Sequence, residues 1–226
     1  MLDWLNRTEM LIGKDNIDKL TKSTIAVFGI GGVGSYVIEA LARCGVGNLV
    51  LIDNDVVDVT NINRQLIADT TVIGKDKVYV AKEHLLKINP EINVITHKVF
   101  FNQNNSNNLI LNSYDYIVDC IDSVSSKLCL IEKAINKDIN IISCMGTGNK
   151  LSPCEFEVSD IYNTSVCPLA KIIRKELSKK GIKKLKVVYS KEKPIKNISK
   201  IPASISFVPA TAGLILASEV VHDLIF

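Results

Sequence analysis

The sequence predicts an α/β fold: a mainly parallel sheet flanked by helices, followed by a C-terminal mixed α/β extension. Three observations carry this. Short apolar runs alternate with stretches of helical periodicity, a glycine-rich turn joins the first such run to the helix after it, and the rhythm breaks after Gly148. Alternation of this kind implies parallel strands with helices covering both faces. At 226 residues the chain is somewhat longer than the ~150 usual for one domain, so a single domain is expected. With 47% hydrophobic and 23% charged residues the composition is that of an ordinary soluble protein. Asp3, Arg7 and Glu9 interrupt the first ten residues, which argues against a secretory leader and for a cytoplasmic location.

The elements follow in order. An apolar run at 25–29 reads as a strand, and 33–43 as a helix. A second strand spans 49–52. The helix at 77–88 ends before Asn89-Pro90, where proline disfavours the helical conformation of its predecessor. The β-branched stretch 92–99, the run 116–121 and the run 139–144 are further strands, with a helix at 127–136. The polar 102–108 starts a helix or forms a loop. Beyond Gly148, "CEFEVSDIY" reads as a strand and turn, 168–180 as a basic helix and 186–189 as a strand. The apolar tail is mostly helical. Its uncharged run, 201–218, contains Pro202 and Pro209, and Glu219, His222 and Asp223 follow. These features favour a buried or subunit-facing helix over a membrane span.

Gly29, Gly31, Gly32 and Gly34 form G-x-G-G-x-G between a strand and a helix. Glycines let the backbone turn sharply and approach a phosphate, and the helix start offers free N–H groups and the positive end of its dipole. The arrangement is Rossmann-like. Asp53 ends the next strand, where a carboxylate reaches a ribose hydroxyl pair. Up to this point NAD and ATP are served equally. The segment that follows favours ATP, because it gathers more phosphate-binding groups. Arg64 can fork onto phosphate oxygens, with Asn61 and Gln65 donating beside it. Lys77 opens a helix, where a cation opposes the dipole unless an anion sits between them; the alternative is a solvated lysine. Asp119 lies inside the apolar strand "YIVDCIDS" and is expected to hydrogen-bond buried backbone near the nucleotide loop. Asp122, at the strand's carboxyl end, either holds Mg²⁺ on the phosphates or caps the following helix.

The six cysteines form no C-x-x-C pair, so a four-cysteine zinc knuckle is not expected and free thiols are. Cys167 precedes a helix, where a thiolate would be favoured, but a structural loop cysteine is the simpler reading. Charge is segregated. Residues 171–200 hold twelve Lys or Arg and two Glu, whereas the rest of the chain holds fifteen basic and twenty-two acidic side chains. Such asymmetry suggests a polyanion partner.

Together, "GIGGVGS", "ARCGVGNLVLIDNDVVDVTNINRQ", "GKDKV", "INP" and "DCID" resemble the ubiquitin-activating-enzyme-like adenylyltransferases, over nearly the whole chain. The resemblance implies that Gly31, Gly32, Asp53, Asn61, Arg64, Gln65, Lys77 and Asp122 form an ATP and magnesium site. It also implies a homodimer in which Arg7 reaches the partner's nucleotide site. Trp4 stands where that pattern has another arginine. On this likeness 1–150 is the nucleotide-binding half, and 151–226 the substrate-binding and dimer-facing half. The segment "SDIYNTSVCPLAKIIRKELSKKGIKKLKVVYSKEKP" and the closing "SISFVPATAGLILASEVV" resemble the tRNA threonylcarbamoyladenosine dehydratase branch. That branch implies tRNA as partner and ATP-driven cyclisation through an acyl-adenylate, without zinc or an enzyme thiol. The alternative within the family is activation of a ubiquitin-like sulfur carrier. A monovalent cation, a sulfur-relay protein partner and membrane contact by the tail are left open.

Overall fold

Seven strands meet in one continuous sheet in the computed structural model, which describes residues 3–196 and 202–226. They are β1 (Thr24–Phe28), β2 (Asn48–Asp53), β3 (Asn93–Lys98), β4 (Tyr116–Asp119), β5 (Asn140–Cys144), β6 (Phe156–Asp160) and β7 (Lys186–Ser190). Their order is β3-β2-β1-β4-β5-β7-β6, and only the β6–β7 pair is antiparallel. The helices are α1 (Asn6–Ile12), α2 (Lys14–Lys22), α3 (Gly34–Arg43), α4 (Lys77–Ile88), α5 (Ser106–Leu109), α6 (Val124–Asn136), α7 (Pro168–Lys179) and α8 (Phe207–Ile225). The expected fold class is the observed one, and the C-terminal extension completes the same sheet. One helix differs by three residues: α6 starts at Val124, so Lys127 lies within its first turns rather than at its start. Positions 197–200 of the basic segment and Ile201 of the uncharged run lie outside the described residues.

Strand alternation divides the core as the period of two requires. On β1, Ile25 and Val27 face Val37 and Leu41 of α3 and Leu216 of α8. Ala26 and Phe28 face the opposite layer with Leu130 and Ala134 of α6. A third cluster joins Val187 and Tyr189 of β7 to Ile131 of α6 and to Ile173 and Leu177 of α7. This layer fixes the mixed extension to the parallel sheet.

The tail helix α8 is long and apolar enough to cross a membrane, yet half of it is buried within the protein. It lies against α3 so closely that a Cβ on Gly213 would come within 2.5 Å of the Val33 carbonyl oxygen. At its far end Asp223 accepts from Tyr116 Oη and Lys186 Nζ, each at 2.7 Å. Burial works against ionisation of Asp223, but these two bonds outweigh it and hold the carboxyl below its ordinary value. The helix is therefore clamped to β4 and β7 as well as to α3.

The chain leaves β1 toward β2 on one side and β4 pairs on the other, so the carboxyl ends of β1 and β4 border the crevice of a topological switch point. The glycine-rich turn emerges there.

Candidate active site

The carboxyl ends of β1, β2, β4 and β5 open into a cleft of about 800 Å³. Gly29, Gly31, Gly32, Asp53, Asn61, Arg64, Gln65, Lys77 and Asp122 all line it. Gly29 holds φ at +90°, and a Cβ there would sit 2.8 Å from the Cys120 carbonyl oxygen, so only glycine fits. Asp53 fixes the turn from below. Its Oδ2 accepts from the Ile30 N–H at 2.6 Å and its Oδ1 from the Asp55 N–H at 2.8 Å. Burial pushes the Asp53 carboxyl above its ordinary value, although both N–H groups and Lys77 favour the anion.

Gly34 departs from the expected phosphate contact, whereas Asp119 takes the backbone role expected of it. Gly34 is absent from the cleft wall; its missing Cβ makes room for the Gly29 carbonyl oxygen, which would be only 1.9 Å away. Its glycine serves the approach of helix to loop. Asp119 is fully buried and does not reach the cleft. One of its oxygens accepts from the Ile121 N–H at 3.0 Å, as a backbone role requires. The other receives Lys127 Nζ at 2.7 Å and Ser143 Oγ at 2.5 Å, an ion pair that strand periodicity did not reveal.

The phosphate-binding candidates are built by a short loop. Asp58 and Asn61 form a reciprocal capping box around the turn Val59–Asn61, with Asn61 Oδ1 accepting from the Asp58 N–H at 3.1 Å. Arg64 follows, its guanidinium donating to the Thr60 carbonyl oxygen at 2.7 Å and Asn63 Oδ1 at 3.0 Å. Gln65 is only 5% exposed, and its Oε1 has no hydrogen-bond partner among the described residues. A buried, unsatisfied amide on a cleft wall is costly without a ligand. Lys77 is 4% exposed and its Nζ lies 2.8 Å from Asp55 Oδ2. The Asp55 side chain is 57% exposed, so it can release the ammonium to another anion and return to water. Asp122 is exposed on the wall and Ser123 occupies the N-cap position of α6, so Asp122 is not the cap.

Magnesium retains waters and takes one or two carboxylates plus substrate phosphates rather than a cage of protein ligands. Among the described residues no group of three or more His, Cys, Asp or Glu gathers as a metal cage. Asp122, free and facing the cleft, fits the sparse donor set that magnesium on a triphosphate needs.

The opposite wall includes Met145, Gly146, Asn149, Lys150 and Cys167. Asn149 holds φ at 58° there, and Val166, next to Cys167 in the chain, holds 60°, uncommon values for residues with a side chain. Three thiols reach the cleft. Burial raises Cys120 well above its ordinary value and Cys144 to about 12, so both remain protonated near neutrality. Cys167 is buried at the N-cap of α7. All six cysteines are free, with Cys154 exposed. Outside the cleft, Arg7 is exposed on α1.

The basic segment separates into two groups. Lys179, Lys180, Lys186 and Lys191 pair with carboxylates. Lys171, Lys175, Lys183, Lys184, Lys193 and Lys196 make no ion pair among the described residues. Lys171 and Lys175 stand one helical turn apart on α7, whose first residues Pro168 and Leu169 line the cleft.

A profile of the ThiF family matches residues 5–225, and the chain belongs to the ThiF family. It is 41% identical over 243 residues to a Bacillus subtilis protein named tRNA threonylcarbamoyladenosine dehydratase, with 100% of this chain and 96% of that one covered. A Haemophilus influenzae protein of the same name is 42% identical over 165 residues, covering 73% of this chain and 63% of that one. Among solved structures, the E. coli tRNA N6-threonylcarbamoyladenosine dehydratase TcdA in complex with AMP superposes with a TM-score of 0.93 at 33% identity, covering 99% and 96% of the two chains. The same E. coli protein in complex with ATP gives 0.93 at 32%, covering 97% and 93%.

Lys77→Met keeps the buried stem and removes the charge, and Arg64→Ala removes the fork. Each is expected to raise the dissociation constant for ATP in calorimetry by about tenfold or more, with an unchanged melting transition. Near-normal affinity in both variants would remove these cations from the nucleotide site.

Proposed function

We propose that this chain is an ATP-dependent tRNA threonylcarbamoyladenosine dehydratase. It closes the modification into a ring through an acyl-adenylate, releasing AMP and pyrophosphate. The observation that carries this reading is likeness along the full length of the Bacillus dehydratase, together with a cleft that gathers two cations and a glycine turn. The residue roles are ours. The N–H groups around Gly31 and Gly32, with Asn61, Arg64, Gln65 and Lys77, hold the triphosphate. Asp53 takes the ribose hydroxyls while its other bonds keep the turn in place. Asp122 holds magnesium, which when bound neutralises charge on the phosphates.

The threonyl carboxylate of the substrate attacks the α-phosphorus and pyrophosphate leaves, with Arg64 and Lys77 stabilising the charge that builds on it. The carbamoyl group then closes on the activated carbonyl. The acyl–oxygen bond breaks, a proton is lost and AMP departs. Carboxylates are poor acylating agents, and adenylation supplies the leaving group. The second nucleophile is already tethered to the first, so no enzyme thiol is required. Protonated Cys120 and Cys144 accord with that.

We assign residues 151–226 to substrate and dimer contacts. The lysines of α7 and the loop after it serve the tRNA backbone, and the reaction runs in the cytoplasm. The unpaired cations begin at the cleft rim and favour a polyanion over a small carrier protein. Arg7, exposed and away from its own cleft, completes the site of a second subunit.

Nucleosides from tRNA incubated with the protein should contain a form of threonylcarbamoyladenosine lighter by one water, only when ATP is present. Mass spectrometry that shows an unchanged nucleoside would refute the dehydratase reading. In the same assay, Arg7→Ala and Lys77→Met proteins should each be inactive and a mixture should regain about a quarter of wild-type turnover, since half the dimers then hold one complete site. A mixture as inactive as its components would contradict the contact between subunits. Replacing Lys171, Lys175, Lys183 and Lys184 with glutamine should weaken tRNA binding and lower its salt slope by about one per lost phosphate contact. An unaltered slope would exclude this surface.

A further inference from the structure

Directly beneath the cleft, the carboxyl ends of β4 and β5 meet the first turns of α6, and two opposite charges are buried there completely. Lys127 and Asp119 are both 0% exposed, with Nζ 2.7 Å from Oδ2. Neither lines the cleft, so neither can touch a ligand in it. Taking two charges out of water is expensive, and an apolar pair of similar volume is often at least as stable. Stability is therefore a poor reason to keep an ion pair at this place.

Its remaining bonds supply a better one. Lys127 Nζ also donates to the Cys144 carbonyl oxygen at 3.0 Å and to Ser143 Oγ at 3.2 Å. Ser143 Oγ in turn donates to Asp119 Oδ2 at 2.5 Å, and the Ile121 N–H donates to Asp119 Oδ1 at 3.0 Å. The ammonium thus has three acceptors and the carboxylate three donors. The network is closed and specifies one geometry. Both strand ends it ties lead directly into the cleft. Ile121 precedes Asp122, on the wall of the nucleotide turn, and Cys144 precedes Met145 and Gly146, on the facing wall. Past Asp119 and Cys144 the main chain ties each segment to another strand, Cys120 N–H to the Phe28 carbonyl and Met145 N–H to the Val188 carbonyl, each at 2.8 Å, but among the described residues no main-chain bond ties the two to each other.

We infer that Lys127 is a positioning residue: its buried ammonium, shared between Asp119 and the Cys144 carbonyl, fixes the spacing of the Ile121–Asp122 turn and the Met145–Gly146 turn that face each other across the cleft. The inference rests on the ATP-dependent reading and adds to it that the wall with Asp122 holds the α-phosphorus while the wall with Met145 and Gly146 holds the attacking carboxylate. A displacement of about 1 Å between reacting groups can cost about a hundredfold in rate. Binding of either reactant to its own wall is affected far less.

The test compares the wild type with the double variant Asp119→Asn/Lys127→Met, which removes both charges and strands neither. Melting temperature, ATP affinity without tRNA, and kcat and KM for tRNA are measured on the full chain. The double variant is expected to melt near the wild type and bind ATP within about threefold, while kcat falls about a hundredfold and KM stays close to normal. A kcat within a few-fold of wild type overturns the inference, and so does a loss of rate that merely tracks lost ATP affinity or lost folded protein. Should the double variant not fold, Ser143→Ala carries the test, since it keeps both charges and deletes the bridging hydroxyl. Its kcat falls with an unchanged melting temperature, or the inference fails. A wild-type protein without turnover would instead refute the dehydratase reading, so the two failures are distinct.

Discussion

The site depends on how closely β1 approaches β4 at their carboxyl ends. Gly29 lies so near the Cys120 carbonyl that no side chain fits between them, and Gly34 lies closer still to the Gly29 carbonyl. These two contacts bring a strand end, a turn and a helix start into one small volume. They aim the loop N–H groups at the crevice that Asp122 also lines. Asp53, a neighbour by sheet order rather than by sequence, then clamps the turn through the Ile30 N–H. A side chain at Gly29 or Gly34 would push these elements apart at the mouth of the crevice.

Electrostatics complete what packing begins. The cleft holds groups that are satisfied only in part by the protein itself. Gln65 Oε1 is buried without a partner among the described residues, and Lys77 is held by an exposed carboxylate that water can solvate. An anionic ligand would satisfy the ammonium fully and fill the space before the amide. The buried Lys127–Asp119 pair contrasts with this, since every bond it can make is made within the protein. Charges that meet the ligand are left loosely satisfied, and charges that hold the walls are satisfied completely.

Much of this was legible in the sequence. The parallel sheet followed from alternating periods, and α4 was bounded correctly because Asn89-Pro90 marks its end. The glycine turn, Asp53, Arg64 and Lys77 were legible because their chemistry is local: each sits at a strand end or helix start that patterning can locate. Gly34 was misread as a ligand contact because a spacing motif does not distinguish closeness to phosphate from closeness to backbone. The backbone role of Asp119 was legible, but its ion pair was not, because Lys127 is reached across a turn and Ser143 lies on a separate strand. An apolar run containing one lysine gives no sign that the lysine points inward. The facing wall, Met145 to Lys150 with Cys167, was also invisible, since only the fold brings those segments together.

In the proposed reaction the cleft directs a substrate carboxylate onto the α-phosphorus of ATP. The most direct measurement uses tRNA whose threonyl carboxylate carries heavy oxygen, with mass spectrometry of the released nucleotide. The account predicts one heavy oxygen in AMP and none in pyrophosphate, because the acyl carbon–oxygen bond breaks on ring closure. Heavy oxygen in orthophosphate, with ADP as the nucleotide, would contradict it.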